Sequence, residues 1–587
     1  MVILKGIAAS PGFAIGRAAV MQREDVPVRE RFVRPERVEG EVDRFNAAVE
    51  RSKSDIQLLQ ERMSREVGSG SAAIFGAHLW VLSDRTLHKE VLRRIRNNRF
   101  SAEYAIDRAL QKYVTRLRAL DDPYLHQRVQ DLEDIERRLL DTLRGAGGSE
   151  IDESPEPVVV VAHSLSPSQT ASFDRSKVMG IATDVGGRTA HAAILARDLG
   201  IPAVVGLEVA SADVDPGEMV IVDGQRGVLV ISPDERTLEK YRKLTTEYQG
   251  YEEQLTAESH LPAETKDGER VSVFGNIEFP EEIPSVVEHG AEGIGLYRTE
   301  FLFLREGKMP KEKEHIEAYE AALRFLGGRP IQIRTVDLGA DKVMSSSLAS
   351  QERNPFLGCR SVRLFQMSPE IFKTQVRAIL RVATEGNVKC MFPMITNVAE
   401  LKWAKAVIEE VKGELRAEGI AFAENLEIGI MIEVPAAAMM ADTLAREVSF
   451  FSIGTNDLVQ YTLAVDRTNE RVAHLYTPAE PAVLRLIKNV IDAGERNGVS
   501  VSMCGEMAGD PQFVPLLLGM GLRSLSVAPA LAAQIKKLIR TVSIDEARGL
   551  AERVLAVDSR EAVMAELSAQ AEDASAKFSP VDIEMAE

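Results

Sequence analysis

One histidine stands directly behind a glycine turn in Gly186-Gly187-Arg188-Thr189-Ala190-His191-Ala192-Ala193-Ile194-Leu195-Ala196-Arg197. Two glycines permit a sharp entry, Thr189 can cap, and the first free N–H groups of the ensuing helix would bind an anion beside the imidazole. A phosphoryl group could be held there. By itself the segment fits a core histidine next to a strand-to-helix turn equally well, because glycine motifs and lone histidines recur without function.

Further along, strand-like apolar runs repeatedly end in groups capable of chemistry: 271–277, 293–298, 331–337, 388–394, 428–433, 450–457, 499–506 and 524–528. Helical patterns such as 398–413 alternate with them, which predicts a parallel (β/α)8 barrel. Such barrels build their chemistry at the C-terminal ends of the strands. Those ends supply Arg298, Arg334, Asp337, Glu433, Asn456, Asp457, Cys504 and Glu506. Planar guanidinium groups bind oxyanions bidentately, so Arg298 and Arg334 suggest a small ligand carrying a phosphate and a carboxylate. Glu433 and Asp457 offer hard oxygen atoms suited to Mg²⁺, which takes one or two carboxylates with substrate oxygens and water. Arg467, ten residues beyond Asp457, reads either as a further phosphate contact or as a surface salt bridge. Cys504 has the rim position of a group that moves a proton at carbon, and equally the character of a small buried hydrophobe. Cys359, Cys390, His163, His260, His289, His315 and His474 read as structural or exposed.

The elements that must position these groups follow from periodicity. Residues 2–20 alternate around Ser10-Pro11-Gly12, as a hairpin or two short strands would. Between 36 and 145 the spacing is helical, with Val38, Val42, Phe45 and Val49 on one face and further helices over 74–82, 102–117 and 124–143. Strands are expected again at 158–161, 178–183 and 201–205, with a hairpin over 219–231 turned at Gly224-Gln225-Arg226-Gly227. The charged helical stretch over 233–258 reads as a linker weakened at Gly250, or as a helix packed on the barrel.

A chain of 587 residues suggests roughly three or four domains, and a net charge of −18 disfavours a nucleic-acid partner. A basic protein partner fits better. Three widely spaced cysteines without a Cys-x-x-Cys pattern suggest neither a disulfide framework nor a zinc site. No run approaches membrane-spanning length and no leader is evident, so a soluble, cytoplasmic protein without a membrane partner is expected.

Taken together, these motifs resemble enzyme I of the bacterial phosphoenolpyruvate-dependent sugar phosphotransferase system, the phosphoenolpyruvate-protein phosphotransferase family. The resemblance rests on Gly-Gly-Arg-Thr-Ala-His at 186–191, Gly-Leu-Tyr-Arg-Thr-Glu-Phe-Leu-Phe at 295–303 and Asn-Pro-Phe-Leu-Gly at 354–358. Met-Phe-Pro-Met at 391–394, Ser-Ile-Gly-Thr-Asn-Asp-Leu at 452–458 and Met-Cys-Gly-Glu-Met-Ala-Gly at 503–509 complete it. It implies a multidomain α/β protein: a swivelling α/β phosphohistidine domain (1–20 plus 146–232) and an inserted helical phosphocarrier-binding subdomain (21–145). A linker helix (233–262), a C-terminal (β/α)8 TIM barrel that binds phosphoenolpyruvate and dimerises (263–575), and a tail (576–587) complete the order.

The resemblance implies that His191 attacks phosphoenolpyruvate, that Thr170 hydrogen-bonds its imidazole, and that Cys504 protonates the departing enolate to give pyruvate. Arg298, Arg334, Asn456, Asp457 and Arg467 would hold the substrate, with Mg²⁺ on Glu433 and Asp457 and with Arg360 as a weaker candidate. The phosphoryl group then passes to a histidine on a small phosphocarrier protein, docked through His78, Asp84 and Arg128. Three positions depart from the family pattern: Ala340 and Cys359, where the family has glycine and tryptophan, and Gly76, where it has an acidic residue. A pyruvate-phosphate dikinase or phosphoenolpyruvate synthase is the enzymatic alternative, but the chain lacks a Gly-x-x-x-x-Gly-Lys-Ser/Thr loop and room for a nucleotide domain. A nitrogen-branch regulatory phosphotransferase and a catalytically idle regulator remain as other readings.

Overall fold

The computed structural model describes residues 1–21, 28–66, 75–76, 78–79, 81–118, 123–144, 156–174, 176–187, 191–304, 309–339, 354–467, 469 and 471–578. The chain forms two compact units, Met1–Gln249 and Gly250–Glu587.

In the first unit, β1 (Val2–Lys5), β2 (Ile7–Ser10), β3 (Phe13–Met21), β4 (Val158–Ala162), β5 (Val178–Thr183), β6 (Ala203–Val205), β7 (Met219–Asp223) and β8 (Val228–Ile231) form one sheet in the order β1-β8-β7-β3-β4-β5-β6-β2. Of the hairpin or two short strands expected over 2–20, strands are present but do not pair with one another as a hairpin. β1 pairs antiparallel with β8, β2 with β6, and β3 lies between β4 and β7. β1 and β2 occupy opposite edges although only Gly6 separates them. At about 3.3 Å per residue the edges must approach one another, so the sheet curls towards closure. The hairpin over 219–231 is present as β7 and β8.

Helices Val38–Glu66, Arg85–Asn98, Ala102–Arg118 and Pro123–Arg144 pack around Phe45, Ile56, Ile95, Ile106 and Leu139. Their core is continuous with one face of the sheet through Val160, Ile181 and Leu195. The helix Glu235–Glu258 begins in this unit, where Leu238, Tyr241 and Leu244 are buried and the Phe13 ring meets Tyr241 and Tyr248 edge-on. The unit boundary falls within it at Gln249 and Gly250.

The second unit is a closed barrel of β9 (Ser272–Ile277), β10 (Ile294–Tyr297), β11 (Ile331–Arg334), β12 (Val388–Phe392), β13 (Glu427–Ile432), β14 (Phe450–Ile453), β15 (Ser500–Met503) and β16 (Ser524–Val527). Every neighbouring pair is parallel, and β16 closes on β9 with Ser526 opposite Phe274. All eight expected runs contain strands, and most of the strands end before the expected run does. Within this unit the end of Glu235–Glu258 is tied down by Lys537 over the Tyr251 ring at 4.3 Å and by Arg540 to Glu258 at 2.9 Å.

Close packing at the barrel mouth needs glycine after β15. A methyl group at position 505 would sit 1.8 Å from Thr455 Oγ1 and 2.6 Å from Thr455 N, at the head of the helix that carries Asn456 and Asp457. Gly505→Ala is therefore expected to overpack the rim at a cost of about 1–3 kcal/mol. Chemical denaturation that finds the variant as stable as the natural protein would contradict this packing.

Candidate active site

The barrel mouth is built by residues that immediately follow the strands. Arg298 follows β10, donates its backbone N–H to Ile277 and reaches Glu278 Oε1 at 2.7 Å, with its side chain partly in solvent. Arg334 ends β11 and is largely covered, its side chain 12% exposed. Its Nη2 donates to Glu300 Oε1 at 3.0 Å, Asp337 lies 3.7 Å from Nη1, and Nε is buried without a hydrogen-bond partner among the described residues. A buried orphan donor on a guanidinium group marks a place for an oxyanion.

Three carboxylates converge beside it. Asp337, Glu433 and Asp457 are buried and each offers an oxygen within 4.8 Å of the others. Arg360 grips Asp337 through both oxygens at 3.0 and 2.7 Å, and its Nη2 also approaches Asp457 Oδ2 at 3.4 Å. Burial opposes the charge of both guanidinium groups, and the adjoining carboxylates override it: Asp337 raises Arg360, and Glu300 with Asp337 raises Arg334. Glu433 accepts the Met394 N–H at 2.6 Å, and burial first, then Asp457 and Asp337, push its carboxyl well above the ordinary range. The cluster therefore holds more negative charge than its arginines neutralise comfortably. A divalent cation fits that deficit, and because Arg360 occupies both Asp337 oxygens, Glu433 and Asp457 are the pair best placed to ligate it.

Cys504 follows β15 in the barrel interior, against Leu296, Met391, Met431 and Phe450. Burial is the main cause raising its thiol pKa, with Glu433 adding to it, so the sulfur carries its proton at neutral pH. A protonated thiol at the rim can donate to carbon. Asn456 binds Glu506 in both directions, Nδ2 to Oε1 at 2.9 Å and Oδ1 from the Glu506 N–H at 3.0 Å. Arg467 is exposed in the loop after helix Thr455–Leu463, and its charge acts on Tyr476, whose hydroxyl donates to Asn456 O at 3.1 Å.

In the other unit, helix His191–Asp198 begins at the expected histidine, preceded by Gly186 at φ 132°. Residues 188–190 and the His191 side chain lie outside the described residues. Helix Pro167–Ser172 packs beside it, capped by Ser166, and the buried Thr170 hydroxyl donates to Ser166 O at 3.1 Å. Its oxygen retains capacity to accept a further hydrogen bond.

The docking expectation needs correction at His78. That side chain is fully buried, 3.7 Å from Asp134, and shares the interior with Phe75 and Leu82, so it presents nothing to a partner protein. Asp84 caps helix Arg85–Asn98 by accepting the Thr86 N–H at 2.6 Å. Arg128 lies in helix Pro123–Arg144, but its side chain and Ala340 fall outside the described residues. Cys359 contacts Met367 Sδ at 3.2 Å, and a side chain at Gly76 would first meet Gln60. Sequence reasoning missed Glu300, which holds both Arg334 and the Asp337 N–H, and it ranked Arg360 too low. Both lie in or beside quoted motifs, which was the available signal.

Three stretches match models of the PEP-utilising enzymes: residues 5–128 their N-terminal domain, 154–227 their mobile domain and 252–544 their PEP-binding domain. A phosphoenolpyruvate-protein phosphotransferase of Bacillus sp. (strain S) is 42% identical over 561 residues, covering 96% of this chain and 97% of that protein. Its counterpart from Geobacillus stearothermophilus is 43% identical over 566 residues, covering 96% and 97%. A solution structure of an Enzyme I protein is 39% identical, covers 42% of this chain and 99% of that one, and superposes with a TM-score of 0.37.

The burial of the thiols has a measurable consequence. Cys390 is pushed up to about 12 and Cys504 is raised as well, both by burial, whereas Cys359 is only partly covered. Alkylation of the native protein at pH 8 is expected to modify Cys359 first, since the thiolate is the reactive form. Peptide mapping that found Cys504 labelled before Cys359 would show an ionised, accessible sulfur instead.

Proposed function

The chain belongs to the phosphoenolpyruvate-protein phosphotransferase family, enzymes that phosphorylate a protein histidine, and from that premise we propose the residues and steps by which it works. The observation that carries the reading is the barrel mouth, where Arg334 and Arg360 interleave with Asp337, Glu433 and Asp457 next to the neutral Cys504 thiol.

Arg298 and Arg334 bind the phosphate and carboxylate of phosphoenolpyruvate, with Asn456 and Arg467 closing on the phosphate. Glu433 and Asp457 would hold Mg²⁺, which when bound would neutralise charge on the phosphoryl oxygens. The His191 imidazole, oriented by Thr170, attacks phosphorus; the N–P bond forms as the bridging P–O bond breaks, and the electron pair leaves with the enolate. Cys504 gives its proton to the methylene carbon of that enolate, yielding pyruvate. The phosphoryl group then moves from His191 to a histidine of a small phosphocarrier protein, docked on the helices of residues 21–145 at a surface including Asp84 and Arg128.

In this reading residues 1–20 with 146–232 form the swivelling phosphohistidine domain, and 233–262 link it to the substrate-binding barrel of 263–575. A cytoplasmic setting accords with three free cysteines and with the absence, among the described residues, of a helix long and apolar enough to cross a membrane. A homodimer would cover exposed barrel residues such as Met439 and Met440.

Incubation with labelled phosphoenolpyruvate, Mg²⁺ and candidate phosphocarriers tests the division of roles, and the carrier that retains acid-labile label identifies a sugar or nitrogen-linked branch. His191→Ala is expected to abolish labelling while the variant still binds the Mg²⁺-substrate complex. Glu433→Ala and Asp457→Ala should block forward labelling yet allow phosphorylated carrier to load His191 in reverse. Loss of both directions in the carboxylate variants would refute the separation of nucleophile from metal site.

Cys504→Ala is expected to slow pyruvate formation by about 10²- to 10⁴-fold, the usual contribution of a general acid, with little change in substrate affinity. Pyruvate release and exchange at the methyl carbon of pyruvate in the reverse reaction both report it. A folded variant with near-normal rates in both would remove the thiol from the mechanism.

A further inference from the structure

The two arginines proposed to face the substrate lie where the ladder between β10 and β11 has already ended. Pairing of β10 with β11 stops at Tyr297 opposite Ile333; Arg334 and Thr335 stay joined to β12 at Met391, but the Arg334 carbonyl and the backbone from Val336 onward must be tied to the β10 side by other groups. One buried side chain supplies the tie. Gln375, on the outer helix Pro369–Val382, accepts the Val336 N–H on its Oε1 at 3.0 Å. Its Nε2 donates to Thr299 Oγ1 at 2.9 Å and to the Tyr319 hydroxyl at 3.1 Å. Thr299 Oγ1 in turn donates to Arg334 O at 2.9 Å.

The polarity of this chain is forced. A backbone N–H can only donate, which turns the amide oxygen of Gln375 towards Val336 and its nitrogen towards Thr299. The Arg334 carbonyl can only accept, which commits the Thr299 proton to it. Gln375 and Thr299 are fully buried, so water cannot replace either partner. Glu300 completes the arrangement by accepting both the Asp337 N–H at 2.7 Å and Arg334 Nη2 at 3.0 Å.

We propose that Gln375 and Thr299 are positioning residues that lock the ends of β10 and β11 together, so that Arg298 and Arg334 meet one phosphoenolpyruvate molecule in a fixed register. The inference rests on the substrate site proposed above. Thr299 sits one residue from Arg298, and Val336 lies two residues from Arg334 and one from Asp337, so a slip here moves every charged group on this side of the mouth. A hydrocarbon side chain at 375 would leave the Val336 N–H and the Thr299 oxygen without their partner in the interior.

The test compares full-length Gln375→Leu and Thr299→Val with Arg298→Ala and Arg334→Ala, measuring binding of phosphoenolpyruvate with Mg²⁺ by calorimetry alongside kcat and KM. Thr299→Val preserves shape, so it keeps the inference testable if Gln375→Leu folds poorly. The expected result is a 10- to 100-fold rise, roughly, in dissociation constant and KM, the usual effect of removing a hydrogen bond that orients a ligand-binding group. A merely structural role would instead reduce the folded fraction, lowering kcat at unchanged KM. Wild-type affinity in Thr299→Val, with the arginine variants impaired, would overturn the positioning role alone. Normal affinity in the arginine variants as well would overturn it together with the substrate site.

Discussion

The barrel mouth depends on holding opposite charges together after both have left water. A buried carboxylate or guanidinium stranded without its partner costs several kcal/mol, and three buried carboxylates here share two largely covered arginines. The planar fork of Arg360 spans both oxygens of Asp337, which a lysine could not do. Glu300 braces Arg334 from the other side. The same loss of water raises Glu433 and Cys504, leaving one carboxylate that favours an added cation and one thiol that retains a proton. Charge pairing, metal affinity and acid strength thus have a common origin in burial.

The barrel was legible because parallel strands covered on both faces read as largely apolar runs, and most runs ended at or beside a charged residue. The first sheet was less legible. Alternation over residues 2–20 identified strands but carried no record of their partners, and nearest-neighbour pairing proved wrong because β2 crosses to β6 while β1 joins β8. Register between strands distant in sequence is a tertiary choice, set by which faces find a core.

Among site residues, Arg334, Glu433, Asp457 and Cys504 could be read from position, since each closes or follows a strand. Arg360 could be weighed properly only once its segment was seen to return over Asp337, 23 residues earlier. Gln375 gave no signal at all: it is one polar residue on an otherwise apolar helix face, and its meaning lies in what meets it. His78 shows the reverse error. Phe75, His78 and Leu82 fall three and four residues apart on one helix face and are all buried, so periodicity already argued for an interior position that motif analogy overrode.

The enclosure of the mouth also bears on the proposal that the nucleophile belongs to a different unit. Glu433 is 2% exposed and Asp337 and Asp457 are each 9% exposed, so the charged groups that would polarise a small anion are withdrawn from any surface a protein partner could touch. The proposed mechanism has the phosphoryl group carried out on a side chain of this chain, which leaves those buried pairs intact. Residue 191 suits that duty because it begins a helix, where unpaired backbone N–H groups and the helix dipole favour a phosphoryl group on the imidazole without any contribution from the barrel.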